Sequence, residues 1–364
     1  MSKTVRSIRI PLIQKSELFR KIAFQFISAS LCVWFTGAAQ ATPNYHLVGW
    51  LNTPFPGAGQ WLLGNNQKAV SEFAIEGTTF GTGFAISRLS PMTIDGVPQD
   101  LPIRTGQTFY KTQSGLVCTV PGPHGTCLHW KTTQTKVAGS ADDSREYDTT
   151  LPIMASMLQE FGIKYHMVNV FESYRTAATV DGEVKDPWID PRPTNELFSD
   201  PFKIENLASA WVYVPLGLIT AMAVYDYTEQ TKGGLDPIRK MNPWSNTLFA
   251  TNFVVVQPIG SGAPEEMFYR GFLQNEFYHI VSSPFFSVPM SAALFSFSHA
   301  PSGRIGAAVS GLYLGTLAQI DGGRLNHTIA LHFWSVVVLG IETAFLTIGA
   351  QGDAPAAMQF QFQF

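Results

Sequence analysis

From residue 242 to the C-terminus the chain carries nine charged residues and no lysine. A stretch so poor in charge has to be covered, either by a large protein core or by lipid. Residues 207–225 contain no charge over 19 positions, enough for a helix to cross roughly 30 Å of hydrocarbon. Residues 242–264 and 277–303 are also free of formal charge, 305–320 are rich in small residues, and 325–350 are interrupted only by Glu342. Pro284 and Pro289 should start or break a helix. The expected fold is an all-α polytopic membrane protein with about five or six spans, the sixth depending on residues 68–88. Glu72 and Glu76, one turn apart, argue against a span there, and an interfacial helix fits as well.

The other charges lie mostly in the first 200 residues. The net charge is −3, with no basic cluster beyond the N-terminus, so nucleic acid is excluded as a partner. Residues 1–21 hold six basic side chains, an apolar run follows at 22–38, and Ala39-x-Ala41 offers a cleavage site. Residues 1–41 therefore form an export signal or an uncleaved anchor. Leu31, just before Cys32, does not suit a lipoprotein signal. Residues 42–190 form an exported or membrane-associated region containing a polar, strand-and-loop insert. In that insert Cys118 and Cys127 bracket "CTVPGPHGTC", a tight loop that a disulfide could close. The stretch 150–177 has apolar residues at Ile153, Met157, Phe161, Met167, Val168 and Phe171, which predicts an amphipathic helix. His166 within it reads as a core or surface histidine rather than a ligand. A Pro- and Asp-rich linker is placed at 191–206, a membrane domain at 207–350 and a free tail at 351–364.

Against its apolar background "APEEMFYRGFLQNEF" places Glu265, Glu266 and Arg270 together. A charge at the bilayer centre costs about 2.5–3.5 kcal/mol on insertion scales, so such groups pair, neutralise or line a wet cavity. Glu266 and Arg270 stand at i, i+4 and can pair on one helix face. Glu265 points about 100° away and is left without that partner. An unpaired carboxyl in such a cavity suits a general base or acid. His299 and His332 follow at successive spacings of 33 residues from Glu266, one helix out and one back, so the three can converge at one depth.

"EEMFYRG" and "FSFSH" resemble the EExxxR and FxxxH motifs of the CPBP family of intramembrane proteases, which includes CAAX-processing and bacteriocin-processing enzymes. The likeness covers residues 207–350. It implies peptide-bond hydrolysis in or beside the membrane of a protein or peptide substrate; the expected location is the bacterial inner membrane, with the N-terminal region exported by its signal. Carried over, Glu265 and His299 position and deprotonate water, His332 helps to stabilise the oxyanion, and Glu266 with Arg270 braces the helix. No cofactor is expected, although Glu265, His299 and His332 could instead hold a divalent metal such as zinc. The family usually has Asn or Asp one turn after the last histidine. Here Val336 stands there, with Ser335 or Asn326 as substitutes, so a catalytically weakened or inactive membrane scaffold is the alternative reading.

Overall fold

The computed structural model describes residues 44–89, 150–180, 182–232, 243–301 and 303–350, together with the backbone of strands between 93 and 138. The export signal, the tail 351–364 and the sulfur atoms of Cys118 and Cys127 lie outside the described residues. From Tyr45 onward the described residues form one compact unit.

The fold is mostly helical. Helices α1 (Tyr45–Asn52), α2 (Ala58–Leu62), α3 (Asn66–Leu89) and α4 (Thr150–Ala177) form the N-terminal half. Between α3 and α4 the insert contains two short strands and a three-stranded antiparallel sheet built on a hairpin of Thr108–Pro121 and Cys127–Ala138. In its register Cys118 stands opposite Trp130 and Cys127 opposite Pro121.

The C-terminal half begins with α5 (Ala210–Thr231). A long helical rod follows in three α-helical pieces, α6 (Pro243–Thr251), α7 (Gln257–Glu266) and α8 (Asn275–Val281). These are joined by π-helical turns at Asn252–Val256 and Met267–Gln274. Pro258 and Pro264 lack the N–H that a regular α-helix needs, and π-turns are a recognised way to absorb such a break. Helices α9 (Pro284–Phe297), α10 (Arg304–Ile320) and α11 (Asn326–Ala350) complete the half.

Among the described residues one helix is both long and apolar enough to cross a membrane, at Asn326–Ile348; Pro284–Phe297 is a shorter apolar helix. The expected count of five or six spans is not confirmed: among the described residues only this last helix meets the criterion of length and composition.

The core joins the two halves. Phe171 and Tyr174 of α4 pack with Met267, Phe272, Leu325 and Ile329. The contact is close because glycine makes it so: a Cβ at Gly271 would lie 2.5 Å from the Phe171 ring. Polar bonds reinforce it. Glu276 on α8 accepts from Trp50 Nε1 at 2.7 Å and pairs with His46 Nδ1 at 2.6 Å, which fastens α1 to the rod.

Helix α3 turns its carboxylates inward. Glu72 and Glu76 are buried against α4, whereas Val70, Phe73, Phe80 and Phe84 are exposed. His166 is half-buried and structural in its contacts: it bridges Glu76 at 2.7 Å and the Thr53 carbonyl at 2.8 Å. Helix α4 departs from simple amphipathicity. Phe161 is exposed, while Asn169 and Ser173 are buried in its bonding network.

The Pro- and Asp-rich stretch before α5 packs closely. Asp190 and Asp200 are fully buried, and Arg192 bonds both, at 2.6 Å and 2.9 Å. Burial opposes the Arg192 charge, but these carboxylates outweigh it and raise its pKa above the usual value. Asp190 also accepts the Leu325 N–H at 2.9 Å, fixing the entry to α11.

Candidate active site

Three crossings bring the site together. Helix α7 lies directly on α11, where a Cβ at Gly262 would sit 2.8 Å from Phe333 Cβ. That contact places Glu265 and Glu266 one turn along from Gly262 and beside His332. The turn after α7 meets α10 through small residues. Arg270 Nη2 donates to the Gly311 carbonyl at 3.3 Å, and Gln274 Nε2 to the Gly315 carbonyl at 2.9 Å. Glycines leave those carbonyls uncovered, which suits the small-residue composition of α10. The same turn is bonded to α9, where Ser291 Oγ donates to the Tyr269 carbonyl at 2.7 Å.

Glu266 is fully buried and its Oε1 is shared. Arg270 Nη1 donates to it at 2.9 Å, as the i, i+4 spacing predicts. His332 Nδ1 lies 2.8 Å from the same oxygen. Because a carboxylate accepts, Nδ1 carries the hydrogen, and His332 Nε2 is turned the other way.

On that other side lies Glu265, which is 6 % exposed. Its Oε1 is bonded by Lys164 of α4. Its Oε2 has no hydrogen-bond partner among the described residues and stands 3.7 Å from His332 Nε2. That separation is too long for a hydrogen bond, yet both atoms are within reach of one oxygen placed between them. His299 Nδ1 donates to the Phe295 carbonyl at 2.7 Å, which leaves its Nε2 as the available nitrogen. His299 is near enough to Glu265 to act on its charge.

Phe295 is the packing centre. Its ring lies 4.5 Å from the Arg270 guanidinium carbon, 4.6 Å from the His299 ring and 5.7 Å from the His332 ring. Phe, four residues before His299, therefore spaces two histidines and shields the Glu266–Arg270 pair from water.

Glu265, Glu266, Arg270, His299 and His332 thus converge. Ser335 and Asn326 do not join them: Ser335 Oγ donates to the Leu331 carbonyl at 2.7 Å, and Asn326 Nδ2 to Asn206 Oδ1 at 2.9 Å. Glu342 is not among the groups bonded here; Asp226 of α5 is its acidic neighbour. Among the described residues no group of three His, Cys, Asp or Glu side chains is gathered closely enough to hold a metal ion.

Two residues escaped the sequence reading. Lys164 enters from α4, 101 positions before Glu265. Glu160, one turn before it, flanks the same ammonium. The one signal available was their spacing, an acid and a base at i, i+4 on a helix with an apolar face elsewhere.

Residues 243–338 match the family model described as Rce1-like, type II CAAX prenyl endopeptidase. No curated protein and no solved structure was found to match the chain. The matched segment covers about a quarter of the chain and contains Glu265, Glu266, Arg270, His299 and His332. That match supports the resemblance of this segment to the CPBP family of intramembrane proteases.

Proposed function

We propose that this chain is an intramembrane endopeptidase that hydrolyses a peptide bond with water activated by Glu265 and its histidines. The observation that carries the reading is the buried, unpartnered Glu265 Oε2 facing His332 Nε2 at 3.7 Å. Water held there gives a proton to Glu265 Oε2 while its oxygen attacks the scissile carbonyl carbon. His299 Nε2 helps to hold that water. His332, with Nδ1 held on Glu266 Oε1, donates from Nε2 to the oxyanion. The C–N bond then breaks as Glu265 returns the proton to the leaving amine. Glu266 keeps the His332 ring in register, as the buried aspartate does in a Ser-His-Asp triad. Each step uses side chains alone, and we read the enzyme as metal-free.

The setting supports a bilayer. Phe285 and Ile305 are 93 % and 82 % exposed, and Trp211, Leu218 and Met222 cover the outside of α5. Carboxylates inside and aromatic rings outside, as on α3, are the arrangement expected of a helix facing lipid. We read α5 and the helices from α6 to α11 as the membrane domain, in a bacterial inner membrane with the N-terminal region exported. The substrate is a membrane protein or peptide. The family description adds a prenylated CAAX protein as the first class to try.

A non-catalytic scaffold is the second reading, favoured by Val336 at the position where a second oxyanion donor would stand. The deciding experiment uses the purified full chain in detergent micelles with a farnesylated CAAX peptide and unlipidated transmembrane peptides, comparing wild type with Glu265→Gln. Cleavage that is lost in Glu265→Gln and persists in EDTA or phenanthroline supports the proposal. Loss on chelation moves the mechanism to a metal, and absence of cleavage in wild type supports the scaffold.

A further inference from the structure

The Glu265 carboxylate has two unlike oxygens. Oε2 is unpartnered and faces His332, whereas Oε1 is bonded by Lys164. Lys164 comes from α4, outside the segment 243–338 that matches the protease family. Its side chain is 14 % exposed and that of Glu265 8 %, so both charges are largely removed from water. Passage for the lysine stem is provided by Gly260 on α7, where a Cβ would meet Lys164 Cγ at 3.4 Å. Glu160 accompanies the ammonium from one turn back on α4.

We propose that Lys164 is a positioning residue for Glu265, gripping Oε1 so that Oε2 is held toward His332 Nε2 and the attacking water. This inference rests on the protease reading above. A carboxylate free to turn about its last bond exchanges its two oxygens and loses the fixed separation from His332. Fixed geometry at the reacting centre is where enzymes gain most from orientation. Among the described residues Lys164 is the one permanently charged cation that touches Glu265. A lysine ammonium is a point charge that binds one oxygen and leaves the other open, whereas an arginine fork would occupy both. It follows that the N-terminal half completes the active site and is more than a covering for it.

The test uses Lys164→Cys, Lys164→Met and Glu265→Gln in the full chain, purified in detergent, with the peptide that wild type cleaves best. Lys164→Cys is expected to lower kcat about 100-fold with KM changed less than about threefold. Alkylation of the folded Lys164→Cys protein with 2-bromoethylamine rebuilds an ammonium of nearly lysine length and is expected to restore kcat, while the same treatment leaves wild type unchanged. A purely structural role would not be rescued after folding. Unchanged or increased kcat in Lys164→Met would overturn the proposal, since an increase means that the lysine blocks the site. So would failure of alkylation to restore activity. The pair is also read without activity, from a double-mutant cycle of melting temperatures. Lys164→Met and Glu265→Gln are each expected to lower the melting temperature, and the double variant to regain most of the loss. If wild type cleaves nothing, the protease reading fails and the positioning role falls with it, even where the cycle reports a coupled pair. An additive cycle in an active enzyme rejects the Lys164 contact alone.

Discussion

His332 Nδ1 lies 2.8 Å from Glu266 Oε1, and Arg270 Nη1 lies 2.9 Å from that same oxygen. One buried carboxylate therefore orients the histidine and neutralises the arginine. The i, i+4 rule foresaw only the second bond. The first changes the meaning of the motif, because it makes Glu266 part of the machinery that aims His332 Nε2 at Glu265. The two adjacent glutamates point to opposite sides of one imidazole and do different work.

Replacing Glu266 by Gln should accordingly damage both stability and chemistry. The amide is nearly isosteric but leaves Arg270 buried without its counter-charge. Breaking a buried pair in this way costs about 3–5 kcal/mol. The imidazole also loses the carboxylate that favours a hydrogen on Nδ1, and kcat is expected to fall by about 100-fold or more. Thermal unfolding in detergent and single-turnover peptide cleavage measure the two effects separately. Wild-type kcat in a folded Glu266→Gln variant would remove Glu266 from the mechanism.

Arg270 should not accept lysine. Its guanidinium donates to Glu266, reaches the Gly311 carbonyl and lies 4.5 Å from the Phe295 ring centre. An ammonium keeps the charge but cannot span all three. Arg270→Lys is expected to cost about 1–3 kcal/mol through the lost hydrogen bond and stacking, and Arg270→Met about 3–5 kcal/mol. Denaturant or thermal melts of the two variants should rank in that order. Equal stability would mean that charge alone matters at this position.

Much of this site was legible because charge in an apolar sequence has to be satisfied somewhere. Glu265, Glu266 and Arg270 declared themselves against a background without lysine, and the even spacing marked His299 and His332 as their companions, although His299 falls just past the end of α9 and α10 lies between it and α11. Lys164 was not legible for the opposite reason: it lies in the charged half of the chain, where one more lysine draws no notice. Asp190 and Asp200 were obscured by composition, since Pro and Asp in series resemble a solvated linker, although here the carboxylates serve as buried acceptors for Arg192 and the Leu325 N–H. The π-turns around α7 follow from how prolines are accommodated between packed helices, and hydrophobic periodicity carries no record of that.

Gly262 sets the distance between α7 and α11. A methyl group there would stand 2.8 Å from Phe333 Cβ and 3.1 Å from its Cα. Much of that obstruction is backbone or the first side-chain carbon, so the helices themselves must part. Gly262→Ala is expected to cost about 1–3 kcal/mol by overpacking. Because Glu265 and His332 sit on the two helices being separated, kcat should fall about 100-fold, as displacements near 1 Å can do. Gly306 on α10, where a Cβ meets nothing within 4 Å, is the control, and Gly306→Ala should leave cleavage unaffected. Equal activity in the two alanine variants would show that the α7–α11 distance does not govern catalysis.

Val336 lies four residues after His332 on α11, hence on the same face of the helix. Ser335 cannot serve in its place while its hydroxyl bonds the Leu331 carbonyl at 2.7 Å. An amide at 336 would add a neutral donor beside His332 without another buried charge. One well-placed oxyanion donor is worth about 100-fold or more in kcat, and a donor introduced without optimised support should give less, about tenfold. Val336→Asn is therefore expected to raise kcat on the peptide that wild type already cleaves, with KM nearly unchanged because the interaction forms with the developing oxyanion. The side chain is half-buried, so the polar replacement should also lower the melting temperature modestly. A rise in kcat despite lower stability would show that this site works with one oxyanion donor fewer than its fold can hold. A fall in kcat would mean that Val336 packs the site and that His332 alone meets the oxyanion.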